Sequence, residues 1–268
     1  MRQLLIIDPQ NDFCDSPGAA LPVAGANADL QRLAGFINGT PLDGITVTLD
    51  SHPSVAVERT SFWRTPDGSE VAPFTFITAQ DVQNGVYQPK NSALTERVLA
   101  MLAQLATRGR AGLVVWPIHC MTGTWGHNIQ PDLMQQLNHW EIKQQRAVRK
   151  VLKGEYFLTE HFGVFEADAP DANVPSTLFN SALANALLNG TTTLFIAGQA
   201  SSHCVAASFD QLVGYIQAHS LAMPHMVLLK DCMSPVTGFE ADATGLFERA
   251  TAVGAELLTA QEAAQAYA

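Results

Sequence analysis

The sequence predicts an open, doubly wound α/β fold, with a mostly parallel sheet, helices on both faces and three layers in all. Two observations predict it. Short apolar runs of strand length alternate with segments of helical periodicity, the pattern of βα units whose parallel sheet is covered on both sides. Most of those runs also end in a residue that carries chemistry, as expected where ligands bind outside the carboxyl ends of strands. With 268 residues, 47% of them hydrophobic, the chain can bury a core of the size this fold needs.

Each element has its own signal. The first run, QLLIIDP, carries Asp8 at its end, followed by Gln10, Asn11, Asp12 and Phe13. A helix follows at about 26–38, and the second run, GITVTLD, ends in Asp50 with His52 two residues on. The segment at about 62–111 departs from the alternation and reads as an insertion. It holds an extended piece (Phe74, Phe76, Ile77), a turn, and an amphipathic helix at 92–108 through Leu99, Leu102 and Leu105. The third run, AGLVVWPIHC, reads as a strand ending in Trp116, Pro117, His119 and Cys120. After a helix at 131–141, the fourth run, AVRKVLKG, ends in Lys153. A helix at 177–189 precedes the strand Leu194 to Ala197, which Gly198 closes. From Cys204 onward, Val205, Phe209, Leu212, Val213 and Ile216 recur at helical spacing, giving a helix at 204–219. Strands near 225–230 and 255–259 flank a last helix at 240–253. No repeat, low-complexity tract or linker divides the chain, so residues 1–268 read as one domain carrying the insertion.

Cys204 stands at the junction of that buried strand, a turn and a helix. Unpaired N–H groups and the positive end of the helix dipole favour a thiolate there, so a low-pKa nucleophile is expected. The competing reading is a buried small hydrophobe, and on local sequence the two weigh about equally. The turn Gly198-Gln199-Ala200-Ser201 can aim two backbone N–H groups, those of Ala200 and Cys204, at one developing oxyanion. A net charge of −10 argues against nucleic-acid or anionic-membrane partners, both of which need a basic face. No run approaches transmembrane length, and the chain opens on a strand rather than a signal peptide. The four cysteines (14, 120, 204, 232) show no disulfide framework, so a cytoplasmic protein with reduced thiols is expected.

These residues, in this order, resemble the isochorismatase-like cysteine hydrolase superfamily, which contains nicotinamidase. The matching pieces are IIDPQNDFC (6–14), GAALPVAGA (18–26), LDSHP (49–53), WPIHCMTGTWG (116–126), LKG (152–154) and AGQASSHCV (197–205), and they span the chain to about residue 260. The Asp-x-His and Trp-Pro-x-His-Cys pieces point to the metal-containing, nicotinamidase-like branch. The resemblance implies an isochorismatase-like three-layer fold and a catalytic set of Asp8, Lys153 and Cys204. Asp8 would take the Cys204 proton, its pKa raised by partial burial with the Lys153 charge opposing. It also implies a cis peptide at Gln199–Ala200, and Phe13 and Trp116 as the aromatic walls for a planar substrate. Asp50, His52 and His119 would hold one divalent metal, a donor set that suits zinc, iron or manganese. Two departures stand out. Ser202 occupies a place where many relatives have Asp, and the loop after His52 (SVAVERTSFW) holds Glu58 and Arg59 but no further histidine. His127 and His161 are read as core or surface residues.

The function implied is hydrolysis of a small planar carboxamide through a thioester, by a metal-containing amidase that forms a homo-oligomer. A related hydrolase acting on a carbamoyl, ureido or other C–N substrate is the alternative. A non-catalytic binding protein stands third, because binding alone does not require Asp8, Lys153 and Cys204 together.

Overall fold

The computed structural model describes residues 1–268. The strands are β1 (Arg2–Ile7), β2 (Gly44–Asp50), β3 (Trp63–Arg64), β4 (Phe76–Ile77), β5 (Gln88–Pro89), β6 (Leu113–Val114), β7 (Arg149–Lys153), β8 (Thr193–Gly198), β9 (His225–Leu229) and β10 (Glu256–Leu258). The helices are α1 (Ala26–Gly39), α2 (Ala79–Gln83), α3 (Thr95–Thr107), α4 (Pro131–Gln144), α5 (Ser181–Leu188), α6 (Cys204–Ala218), α7 (Glu240–Ala252) and α8 (Ala260–Ala266). None is long and apolar enough to cross a membrane.

Six strands form the central sheet in the order β10-β9-β8-β1-β2-β7, every pairing parallel. Its strands are continuous apolar runs because both faces are covered. Leu4 and Ile6 of β1 turn to the core under α1 and α4, while Leu5 and Ile7 turn to the core under α5, α6 and α7. Phe195 and Ala197 against Leu194 and Ile196 split the same way in β8. Each such buried side chain contributes about 1.5–3 kcal/mol.

Register then decides what meets at the carboxyl edge. Ile7 pairs with Gly198 and Asp50 with Lys153, so Asp8, the turn before Cys204, Asp50 and Lys153 emerge side by side. β1 lies where the strand order reverses, the place where such sheets open a crevice. Gly198 makes the exit of β8 possible: a Cβ there would lie 2.0 Å from the Ile7 carbonyl oxygen.

The third apolar run is a correction to the sequence reading. It is not a strand of the central sheet, which ends at β7. Only Leu113 and Val114 are strand, paired antiparallel with β4 inside the insertion. Leu113 and Val115 bury into a separate core with Trp63, Ile77, Val98, Met101 and Leu102, and that apolar demand holds the run away from the sheet. The insertion thus has its own packing, with two short antiparallel pairs, α2 and α3. Two helices were not anticipated, α2 and α8. Each opens on a Thr-x-x-Asp/Glu capping box (Thr78 with Asp81, Thr259 with Glu262), a signal readable in the sequence.

Candidate active site

Lys153 is the hub. Its Nζ donates to Asp50 Oδ1 and to the His161 carbonyl oxygen, each at 2.9 Å, forms an ion pair with Asp8 Oδ2 at 2.9 Å, and lies 3.7 Å from Cys204 Sγ. All four side chains are buried. Asp8 leaves β1 with a left-handed backbone (φ 42°), and its carboxylate accepts the Thr48 hydroxyl at 2.5 Å. Gln10 ties the β1 loop to β2 in both directions, donating to the Asp50 carbonyl at 2.8 Å and accepting its N–H at 2.7 Å. The predicted catalytic set therefore converges through strand register.

Burial sets the protonation. It raises the Asp8 carboxyl, with the Lys153 charge opposing, in the direction a general base requires. It also pushes the Cys204 thiol well above its ordinary value, although the Lys153 ammonium pulls the other way. The expected low-pKa thiolate is thus corrected: the resting group is a thiol. Loss of water around the sulfur outweighs the helix start, and Asp8, which shares Lys153 with the thiol and whose charge also raises it, is the available acceptor.

The second cluster adjoins the first through Asp50. Ligand atoms of Asp50, His52 and His119 lie within 4.8 Å of one another. His52 Nε2 is 2.7 Å from Asp50 Oδ2 and His119 Nε2 is 3.5 Å from it. Behind them, His52 Nδ1 faces the Gly154 carbonyl at 3.1 Å and His119 Nδ1 the Pro117 carbonyl at 2.8 Å. Both Nε2 atoms thus face Asp50 while backbone carbonyls hold the rings from behind at Nδ1, the arrangement that orients metal ligands. The donor set therefore fits a divalent ion. Gly154 lets the chain pass this close, since a Cβ there would lie 2.7 Å from His52. Burial disfavours the His52 imidazolium, but the charge of Asp50 prevails and lifts its pKa to about 9; burial and the Arg59 charge lower His119 to about 4. Burial opposes the Asp50 charge too, yet the charges of His52 and Lys153 hold its carboxyl well below the usual range.

A cleft opens over Cys204 and the triad, walled by Phe13, Trp116, Phe162, His203 and Val236. Phe13 packs on His119 at 5.3 Å and Trp116 meets His203 edge-on at 5.3 Å, and both predicted aromatic walls line the cleft. The Gln199–Ala200 bond is cis. The N–H groups of Ala200 and Cys204 donate to no protein acceptor, which leaves both for a substrate oxygen. Ser202 uses its hydroxyl oxygen to accept the Val236 N–H at 3.0 Å. His127 is buried against Ser51 at 2.8 Å, and His161 gives Lys153 its carbonyl.

Several wall residues escaped the sequence reading. Glu160 accepts from Trp116 Nε1 at 3.1 Å, and burial together with the charge of Glu58 raises its carboxyl to about 8. Phe162 and His203 line the cleft, and Glu58 and Arg59 lie buried behind the triad. Glu160, seven residues beyond Lys153, had no partner nearby in sequence to mark it.

No model of a known protein family matches the chain. In sequence it is similar to the nicotinamidase of Saccharomyces cerevisiae, with 26% identity over 212 residues, 78% of this chain and 79% of that protein. In structure it is similar to the yeast nicotinamidase (TM-score 0.63, 20% identity, 96% of this chain and 99% of that one). It is also similar to the pyrazinamidase of Pyrococcus horikoshii in complex with zinc (TM-score 0.50, 19% identity, 96% and 98%). In sequence the chain is thus similar to a nicotinamidase, and its fold is that of nicotinamidases and isochorismatase-like hydrolases.

Proposed function

We propose that the protein is a metal-containing cysteine amidohydrolase of nicotinamidase type, cleaving a small planar carboxamide. The observation that carries the reading is the convergence of Asp8, Lys153 and Cys204 beneath an aromatic cleft that also exposes Asp50 and His119. Lined mainly by apolar and aromatic side chains with a few polar groups converging on it, the cleft suits a small molecule.

Asp8 takes the thiol proton as sulfur attacks the carbonyl carbon and the C=O electron pair moves onto oxygen. The Ala200 and Cys204 amides receive that charge. Asp8 then returns the proton to the amide nitrogen, the C–N bond breaks, ammonia leaves, and a thioester joins substrate to Cys204. Water, deprotonated by Asp8, attacks the thioester; sulfur departs and recovers its proton, and the carboxylic acid is released. Lys153 stays protonated throughout, orienting Asp8 and stabilising the thiolate as it forms. Asp50, His52 and His119 would hold the metal, which supplies a Lewis acid for a ring nitrogen or a water beside it. Phe13 and Trp116 bracket the ring.

Ammonia release from nicotinamide, benzamide and a ureido compound, under identical metal loading, tests this. Nicotinamide should exceed benzamide by roughly tenfold to a hundredfold in kcat/KM, as expected for loss of one polar contact worth on the order of 1–3 kcal/mol. Metal analysis should find one divalent ion per chain, lost in His52→Ala. A clear rate on the ureido compound alone would instead favour a related C–N hydrolase.

A further inference from the structure

The loop after His52 buries two opposite charges directly behind the triad. Glu58 and Arg59 are 1% and 0% exposed. Arg59 Nη1 is 2.8 Å from His119 Nδ1 and donates to the Pro117 carbonyl at 3.0 Å, so it shares the carbonyl that anchors His119. Glu58 Oε1 lies 3.1 Å from His52 Nδ1 and 3.2 Å from Arg59 Nε. These last two are contacts of charge rather than aligned hydrogen bonds, since neither Glu58 oxygen nor Arg59 Nε has a hydrogen-bonding partner of good geometry.

Each histidine of the triad thus has one member of a buried ion pair at its far nitrogen. Arg59 stands one imidazole ring from where the ion would sit, and the fixed positive charge of this fully buried side chain repels a cation. The formal charges agree. With both imidazoles neutral, as ligation requires, Asp8, Asp50 and Glu58 supply three negative charges against the two positive ones of Lys153 and Arg59, leaving one. Without Arg59 the cluster would carry two, the complement of a divalent ion.

Resting on the assignment of Asp50, His52 and His119 as ligands, we propose that Arg59 holds the metal affinity of the site down, with Glu58 partly offsetting it, so that the ion is exchangeable. Arg59 acts through His119 and never touches substrate; it is a positioning and charge-setting residue. A purely structural pair would behave differently: loss of either member would loosen the triad and weaken binding.

The test is zinc affinity of the full chain, stripped of metal and titrated against a chromophoric chelator at fixed pH and salt. Arg59→Met should bind zinc at least tenfold more tightly than the unaltered protein, and Glu58→Gln several-fold more weakly. The double variant Glu58→Gln/Arg59→Met should return near the starting affinity, tighter than Glu58→Gln alone. If Arg59→Met does not fold, because Glu58 is then buried unpaired, the comparison of Glu58→Gln with the double variant decides, both being free of that carboxylate. Affinity unchanged or weakened on removing Arg59 overturns the proposal while one zinc per chain, lost in His52→Ala, keeps the ligand assignment. No zinc uptake by the unaltered protein overturns both.

Discussion

The two halves of the site are built differently. Asp8 follows β1, Lys153 closes β7 and the turn before Cys204 follows β8, three strands whose positions backbone pairing determines. Of the second half only Asp50 ends a strand; His52 and His119 come from loops and owe their orientation to two carbonyls and the buried Glu58–Arg59 pair. A nucleophile needs an unvarying line to a carbonyl carbon, and a sheet edge provides it. A metal site can be assembled from loops, because coordination itself orders the ligands.

The largest expected effect breaks the halves apart. Cys204→Ala should remove at least about 10⁴-fold of turnover and leave metal content unchanged, since Cys204 touches Lys153 but no triad residue. In the unaltered protein iodoacetamide should label Cys204, 6% exposed at the cleft floor, before the fully buried Cys120 and Cys232. Mass spectrometry reads both, and equal labelling of the three would count against Cys204 as the thiol open to the cleft.

Next comes the residue that joins the halves. Lys153→Met removes the shared cation between Asp8 and Asp50 and leaves two buried carboxylates facing each other. A destabilisation of about 3–5 kcal/mol is expected in denaturant unfolding, the range for breaking one partner out of a buried charge cluster. A loss below about 1 kcal/mol would show that the halves are stable independently.

The smallest effect concerns Glu160, in the wall between them. Its carboxyl titrates at about 8 in the folded protein and at about 4.3 when unfolded. Between those values the folded state keeps a proton that the unfolded state has released, so this group makes stability fall as pH rises through the window. Glu160→Gln should flatten that decline, reducing the drop in Tm between pH 5 and 8 by roughly 7 °C or more. An unchanged slope would mean that the carboxylate is already ionised in the folded protein.

Legibility in the sequence followed the same division. Asp8, Asp50, Lys153 and Cys204 could be picked out because each closes an apolar run or opens a helical one, and periodicity is a local property. The helix at 204–219 was drawn within one residue of its observed end at Ala218. Residues 111–120 misled because Leu113, Val114 and Val115 are as apolar as any strand of the central sheet, and only the insertion's own core shows where they pack. Glu58, Arg59 and Glu160 lie in loops, where charged residues are usually solvated, and only their burial and partners in space mark them.

What the sequence by itself determined is the alternation of strands and helices, hence the doubly wound sheet, and the placing of a carboxylate, an amine and a thiol at ends of its runs. That much follows from burial of apolar faces along the chain. Only the tertiary structure decided the protonation of Cys204, the union of the two halves on Lys153, and the buried charges behind His52 and His119. These depend on loss of water and on Coulomb forces between residues as much as 196 positions apart, and neither is a property of any local stretch.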